Sequence, residues 1–146
     1  MSVESTTEVN VQQAVPFFGV TSMDESLRFY MEGLAFTMKY RWIDEGKLRW
    51  CWLEIGTAGL MLQEYKTEGH HSFKPEGKLG LGVSVCFHCR DALRIYRESR
   101  SRGLQPGVPF VGNAMWVVEF TDPDGYKVLF ESPTDAAEES RYTESG

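Results

Sequence analysis

The sequence predicts an α+β fold: two tandem β-α-β-β-β modules that form a cup-shaped mixed β-sheet, with the helices on the outside. Two observations predict it. Short strand-like runs and helical spacings follow one another in a fixed order, and that order occurs twice along the chain. Each module alone buries one sheet face poorly, so pairing two of them supplies the missing cover.

Residues 15–20 are short and apolar, a buried strand. Ser22 with Glu25 three residues on is a capping box, and it starts a helix. Met23, Leu27, Tyr30 and Leu34 then share one helical face, and Gly33 supplies a stop. Strand-like runs over residues 37–43, 48–55 and 59–65 complete the first module, with turns at residues 44–47 and 56–58. The connector, 67–79, is looser and carries His70 and His71, a candidate lid over the cup. The second module repeats the order. Residues 81–87 read as a strand, and residues 91–102 as a helix stopped by Gly103. Residues 105–109 read as a short edge strand, where proline is tolerated. Residues 114–121 and 126–131 form a hairpin around Asp122-Pro123-Asp124-Gly125, which suits a type I turn. The modules thus span 14–66 and 80–133, between a polar extension at 1–13 and a polar tail at 134–146 expected to fray.

Composition narrows the function. With 15 basic and 21 acidic residues the 146-residue chain carries 15 − 21 = −6. An acidic surface repels phosphate backbones, so nucleic acid is not an expected partner. No apolar run reaches the roughly 20 residues of a membrane helix, so no membrane partner is expected either. Residues 1–13 lack the basic start and apolar core of a signal peptide, and Cys51, Cys86 and Cys89 are too few for a disulfide framework. The expectation is a reduced, cytoplasmic protein. Nine Phe, six Tyr and four Trp supply large ring faces for packing or for stacking a ligand.

Several segments together resemble the vicinal oxygen chelate superfamily of glyoxalases, bleomycin resistance proteins and extradiol dioxygenases. They are Val15-Pro16-Phe17-Phe18-Gly19-Val20, Ser26-Leu27-Arg28-Phe29-Tyr30, Gly33-Leu34-Ala35-Phe36, Gly59-Leu60-Met61-Leu62 and Asp122-Pro123-Asp124-Gly125-Tyr126-Lys127. The resemblance covers residues 14–133. It implies a metal held by inward side chains on the first, fourth, fifth and eighth strands. Carried onto this chain, those positions fall on Val15, Met61, Ser84 (or Gly82) and Leu129. Valine and leucine offer no lone pairs and a thioether is soft, so no metal and no cofactor is expected there. In character the chain is closest to the metal-free bleomycin resistance-like proteins. The resemblance also implies a homodimer, with a cup that in many relatives is completed across two chains.

Alternation along strands names a lining. From the first module it takes Phe17, Trp50, Trp52, Glu54, Met61 and Gln63, with Ile55 set opposite Leu60 across the turn. From the second it takes Ser84, Cys86, Trp116, Val118, Leu129 and Glu131, with Thr121 set opposite Tyr126. A cup with three tryptophans suits a bulky, partly planar ligand such as an antibiotic or metabolite, bound without chemistry.

Two alternatives stay open. The first is a lyase, isomerase or dioxygenase. It would use Glu54 and Glu131 as acid and base, or a metal ring displaced by one layer onto Gln63, Glu131 and Cys86 or His88. The second is a structural dimer without a ligand. A structural zinc at Cys86-Phe87-His88-Cys89 is not expected, because a second ligand pair is missing and Cys86 and Cys89 point to opposite strand faces. Arg90, Arg94 and Arg97 form a solvated stripe on the second helix.

Overall fold

The computed structural model describes residues 9–69 and 72–144. In the first module β1 (Phe17–Val20) leads to α1 (Met23–Leu27), then β2 (Thr37–Asp44), β3 (Lys47–Ile55) and β4 (Ala58–Glu64). In the second, β5 (Ser84–His88) leads to α2 (Ala92–Ser101), β6 (Phe110–Gly112), β7 (Met115–Thr121) and β8 (Lys127–Pro133). Each module is one four-stranded sheet, ordered β1-β4-β3-β2 and β5-β8-β7-β6. In each, the first and last strands run parallel and the others antiparallel. This is the predicted α+β duplication. The two sheets are not hydrogen-bonded to one another, so they remain separate rather than closing into a single cup-shaped sheet.

The modules join through their helix-side faces instead, in one shared core. Phe18 and Tyr126 stack at 3.9 Å between ring centroids, while Phe29 meets Phe120 and Phe36 meets Phe87 edge to face. Such ring pairs add to the gain from burying their area. Long-range hydrogen bonds fix the docking: the Tyr30 hydroxyl donates to Asp122 at 2.8 Å, the Tyr126 hydroxyl to the Gly19 carbonyl at 3.0 Å, and the Thr21 N–H to Asp124 at 3.1 Å. Asp122 is buried, and that burial lifts its carboxyl above the usual range, against the three donors that favour its charged form.

Ser22 caps α1 as its sequence indicates, accepting from the Glu25 N–H at 3.2 Å. Regular α geometry then ends early. Arg28–Gly33 widens into a π-helical turn, with the Leu34 N–H donating five residues back to Phe29 at 3.0 Å. The wider turn lets the neighbours Phe29 and Tyr30 both enter the core.

Other boundaries move for local reasons. β1 begins at Phe17, and β5 begins at Ser84 because residues 79–82 turn before it. The short edge strand is Phe110–Gly112, not residues 105–109: Pro106 and Pro109 have no N–H to donate to a ladder. The tail does not fray over residues 134–144. It runs back along β6, with the Val111 N–H donating to Ser140 at 2.9 Å and the Tyr142 N–H to Pro109 at 2.9 Å. Tyr142 also packs against Tyr96 and Trp116.

Candidate functional site

The face of the first sheet turned away from the core gathers most of its aromatic surface. Register puts Phe17 beside Met61, Met61 opposite Trp52, and Gln63 opposite Trp50. The actual turn is Gly56-Thr57, with Ile55 opposite Ala58 rather than Leu60. That is a shift of two residues, so every side chain keeps its face. Phe17, Trp50, Trp52, Glu54, Met61 and Gln63 therefore share one surface. Phe17 is 46% exposed, Trp50, Trp52 and Met61 are half-buried, and Gln63 is buried.

Two aromatic residues outside the sequence-based lining join this face. β2 pairs with β3 so that Tyr40 lies opposite Trp52 and Trp42 opposite Trp50. Tyr40 meets the Trp52 ring edge to face at 6.0 Å, and the Lys66 ammonium lies 5.2 Å from the centre of the Trp42 ring. Trp42 is 45% exposed. The Trp52 indole N–H is buried with no hydrogen-bond partner, an unmet donor on a face made of rings.

The second sheet departs from the predicted lining. Thr121 pairs with Lys127, not Tyr126. The turn at residues 122–125, closed by the Gly125 N–H donating to the Asp122 carbonyl at 3.0 Å, ends on Gly125 at φ +97°, and the Asp122 N–H donates to the Tyr126 carbonyl at 2.9 Å. A glycine in the left-handed region after a type I turn forms a bulge that adds one residue to the loop. One residue reverses parity. Trp116 and Val118 therefore face the core with Phe130 and Ser132, and the opposite face carries Val117, Leu129 and Glu131. Val118 is fully buried and Trp116 packs against Tyr142.

On that opposite face Ser84, Cys86 and His88 alternate outward from β5, with Cys86 beside Leu129 and His88 beside Glu131. The His88 Nε2 lies 3.7 Å from the Glu131 Oε1. Partial desolvation first, and then the Glu131 carboxylate, push the thiol of the otherwise exposed Cys86 up to about 11. An open cleft of about 550 Å³ adjoins these side chains and reaches the β3–β4 turn at Ile55 and Ala58.

The positions where a metal would be expected by resemblance do not fit one. Val15, Met61 and Leu129 present hydrocarbon or a thioether, and Ser84 (or Gly82, in the turn before β5) adds at most one neutral hydroxyl. The two candidate acid–base residues have separate partners: Glu54 pairs with Lys39 at 3.1 Å, and Glu131 faces His88. His70 and His71, the candidate lid, lie outside the described residues. Among the described residues no helix is long and apolar enough to cross a membrane.

A family model for the Glyoxalase/Bleomycin resistance protein/Dioxygenase superfamily matches residues 12–130. The chain belongs to that superfamily. The fold is similar to TioX from Micromonospora sp. ML1, with TM-score 0.67 and 16% identity over 84% of this chain and 99% of that one. It is also similar to a bleomycin-binding protein complexed with bleomycin, with TM-score 0.63 and 22% identity over 84% and 98%. TnmS3, an antibiotic binding protein from Streptomyces sp. CB03234, gives TM-score 0.63 and 15% identity over 87% and 100%. At these identities the likeness is one of superfamily fold. Comparison with curated proteins gives no match.

Proposed function

We propose that this superfamily member is a small-molecule binding protein. It sequesters a bulky, partly aromatic compound against the tryptophan-bearing face of its first sheet, without chemistry and without a metal at the superfamily's ligand positions. The observation that carries this reading is the convergence of Trp42, Trp50 and Trp52 on one partly exposed sheet face, beside Tyr40 and Met61. Ring faces grip planar ligands by area and stacking, and they need no cation to do so. The antibiotic-binding proteins of similar fold support a ligand of this class.

The functional unit in this reading is a homodimer. Within one chain the two sheets turn their outer faces away from the shared core, so a single chain offers an open surface rather than an enclosed cup. A second copy can supply the opposite wall and cover exposed apolar side chains such as Leu81 and Val83. Light scattering is then expected to give twice the 16.6 kDa of the chain.

Titration of intrinsic tryptophan fluorescence with a panel of partly planar antibiotics, metal-free bleomycin among them, tests the binding. A saturable change with at least one member supports the reading, and silence across the panel contradicts it.

A further inference from the structure

We propose that Cys86, His88 and Glu131 form a binding site for a zinc-class divalent cation on the outer face of the second sheet. Their ligand atoms (one sulfur, one imidazole nitrogen, one carboxylate oxygen) all lie within 4.8 Å of one another. Among the described residues this is the group of histidine, cysteine and acidic side chains that converges in this way.

The fold sets the convergence. Cys86 and His88 are two residues apart on β5, so both point to the same face. β5 and β8 pair in parallel with His88 directly beside Glu131. The Glu131 backbone is pinned in turn, its carbonyl accepting from the Cys89 N–H at 2.9 Å. Side chains carried by paired strands hold a metal geometry more tightly than side chains on loops.

The distances fit a small tetrahedral ion. Bonds of about 2.0–2.3 Å to nitrogen, oxygen and sulfur place neighbouring ligands roughly 3.3–3.8 Å apart. The His88–Glu131 separation of 3.7 Å is already such an edge. The donor set selects the metal class: thiolate and imidazole favour zinc and its neighbours over magnesium or calcium, which want oxygen alone. Cys86 and His88 are exposed, so an ion has access. Three protein ligands leave a fourth position for water or for a donor atom of a bound molecule, beside the cleft that reaches Ile55 and Ala58.

This set is not the one that resemblance places on Val15, Met61, Ser84 and Leu129. It sits two residues further along the same β5 and β8 strands. It is also separate from the aromatic face of the first sheet, so either can fail without the other.

The test uses full-length, reduced, chelator-treated protein, with cobalt(II) as spectroscopic probe and zinc in calorimetry. Wild type is expected to bind one ion per chain and to show thiolate-to-cobalt charge-transfer absorption. Cys86→Ser should abolish that absorption, and C86S, H88Q and E131Q should each weaken zinc binding at least about 10-fold. Cys89→Ser and the H70Q/H71Q pair should leave both signals unchanged. Near-ultraviolet circular dichroism verifies that each variant is folded, and the mild His88→Gln and Glu131→Gln changes keep the test open should C86S misfold. Absence of the thiolate band at saturating cobalt would overturn the proposal. So would zinc affinity that survives both C86S and H88Q, or binding that follows Cys89 or the His70-His71 pair.

Discussion

Replacing Tyr30 with phenylalanine removes one oxygen from the joint between the two modules and leaves its packing intact. The Tyr30 ring is fully buried, edge to face with Phe29 at 4.8 Å and with Phe36 at 5.5 Å, and those contacts persist in the variant. What disappears is the 2.8 Å hydrogen bond from its hydroxyl to the Asp122 Oδ2. The other carboxylate oxygen keeps its bonds from the Asp124 and Tyr126 N–H groups, both at 2.9 Å. The loss is therefore one buried bond to a charged acceptor, worth about 1.5–3 kcal/mol. With a urea m-value of roughly 2 kcal/mol/M, a loss of about 2 kcal/mol moves the unfolding midpoint down by about 1 M. Equilibrium urea denaturation followed by far-ultraviolet circular dichroism measures this directly. The m-value should not change, because the same surface is exposed on unfolding. A double-mutant cycle with Asp122→Asn should return a coupling of about 1–3 kcal/mol. A Tyr30→Phe loss under about 0.5 kcal/mol would refute the assignment of this bond as a principal tie between the modules.

Three further outcomes are expected. Gly80→Ala should destabilise by about 1–3 kcal/mol in the same assay, since its Cβ would lie 2.3 Å from the Gly125 carbonyl oxygen and 2.4 Å from the Tyr126 Cα, both backbone. Glu64 should shape the acid limb of stability. Burial alone would raise its carboxyl, but the Lys47 ammonium, the Met23 N–H and the nearby Arg49 outweigh that and hold it below the ordinary 4.5. A lowered folded-state value means the unfolded chain binds the proton more readily, so this contribution is complete above about 4.5 and is lost as pH falls through the folded value. Glu64→Gln should therefore flatten the stability–pH curve in that acid window, as thermal melts between neutral and acid pH will show. On the first sheet, Trp50→Ala should weaken ligand binding by roughly 10–30-fold in calorimetry, the scale of a central aromatic anchor, with no change in the far-ultraviolet spectrum.

How much of this was legible in the sequence depended on parity. The module order and the Ser22 cap of α1 followed from spacing, because an error of a residue or two at an element's end leaves them intact; the core-side faces of β5 and β8 followed from unbroken alternation. The β3–β4 lining was also readable: its turn was misplaced, but by two residues, which preserves faces. The β7–β8 lining was not. A glycine bulge at Gly125 adds a single residue and sends Trp116 into the core, and the motif Asp122-Pro123-Asp124-Gly125 suits the turn with or without that bulge.

Trp42 and Tyr40 were hidden by a related device. From the turn pair Asp44 and Lys47, counting places Trp42 opposite Arg49, on the wrong face. An irregularity between Trp42 and Ile43 restores Trp42 to the side of Trp50, and nothing in the local composition marks it. The Cys86, His88 and Glu131 group was half visible. Strand counting grouped Glu131 with Cys86 or His88 but also with Gln63, which stands on the other sheet; the parallel pairing of β5 and β8 is what puts His88 directly beside Glu131 and brings Cys86 in with both.

Metal-independent binding at the first-sheet tryptophans is tested most directly by one comparison. Isothermal titration of chelator-treated protein with the antibiotic that gives the strongest fluorescence response should show saturable binding in wild type. That binding should be weakened at least about 10-fold by Trp42→Ala together with Trp50→Ala, and be unaffected by Trp116→Phe. Binding that vanishes on chelation, or that survives the first-sheet double substitution but not the change at Trp116, would contradict it.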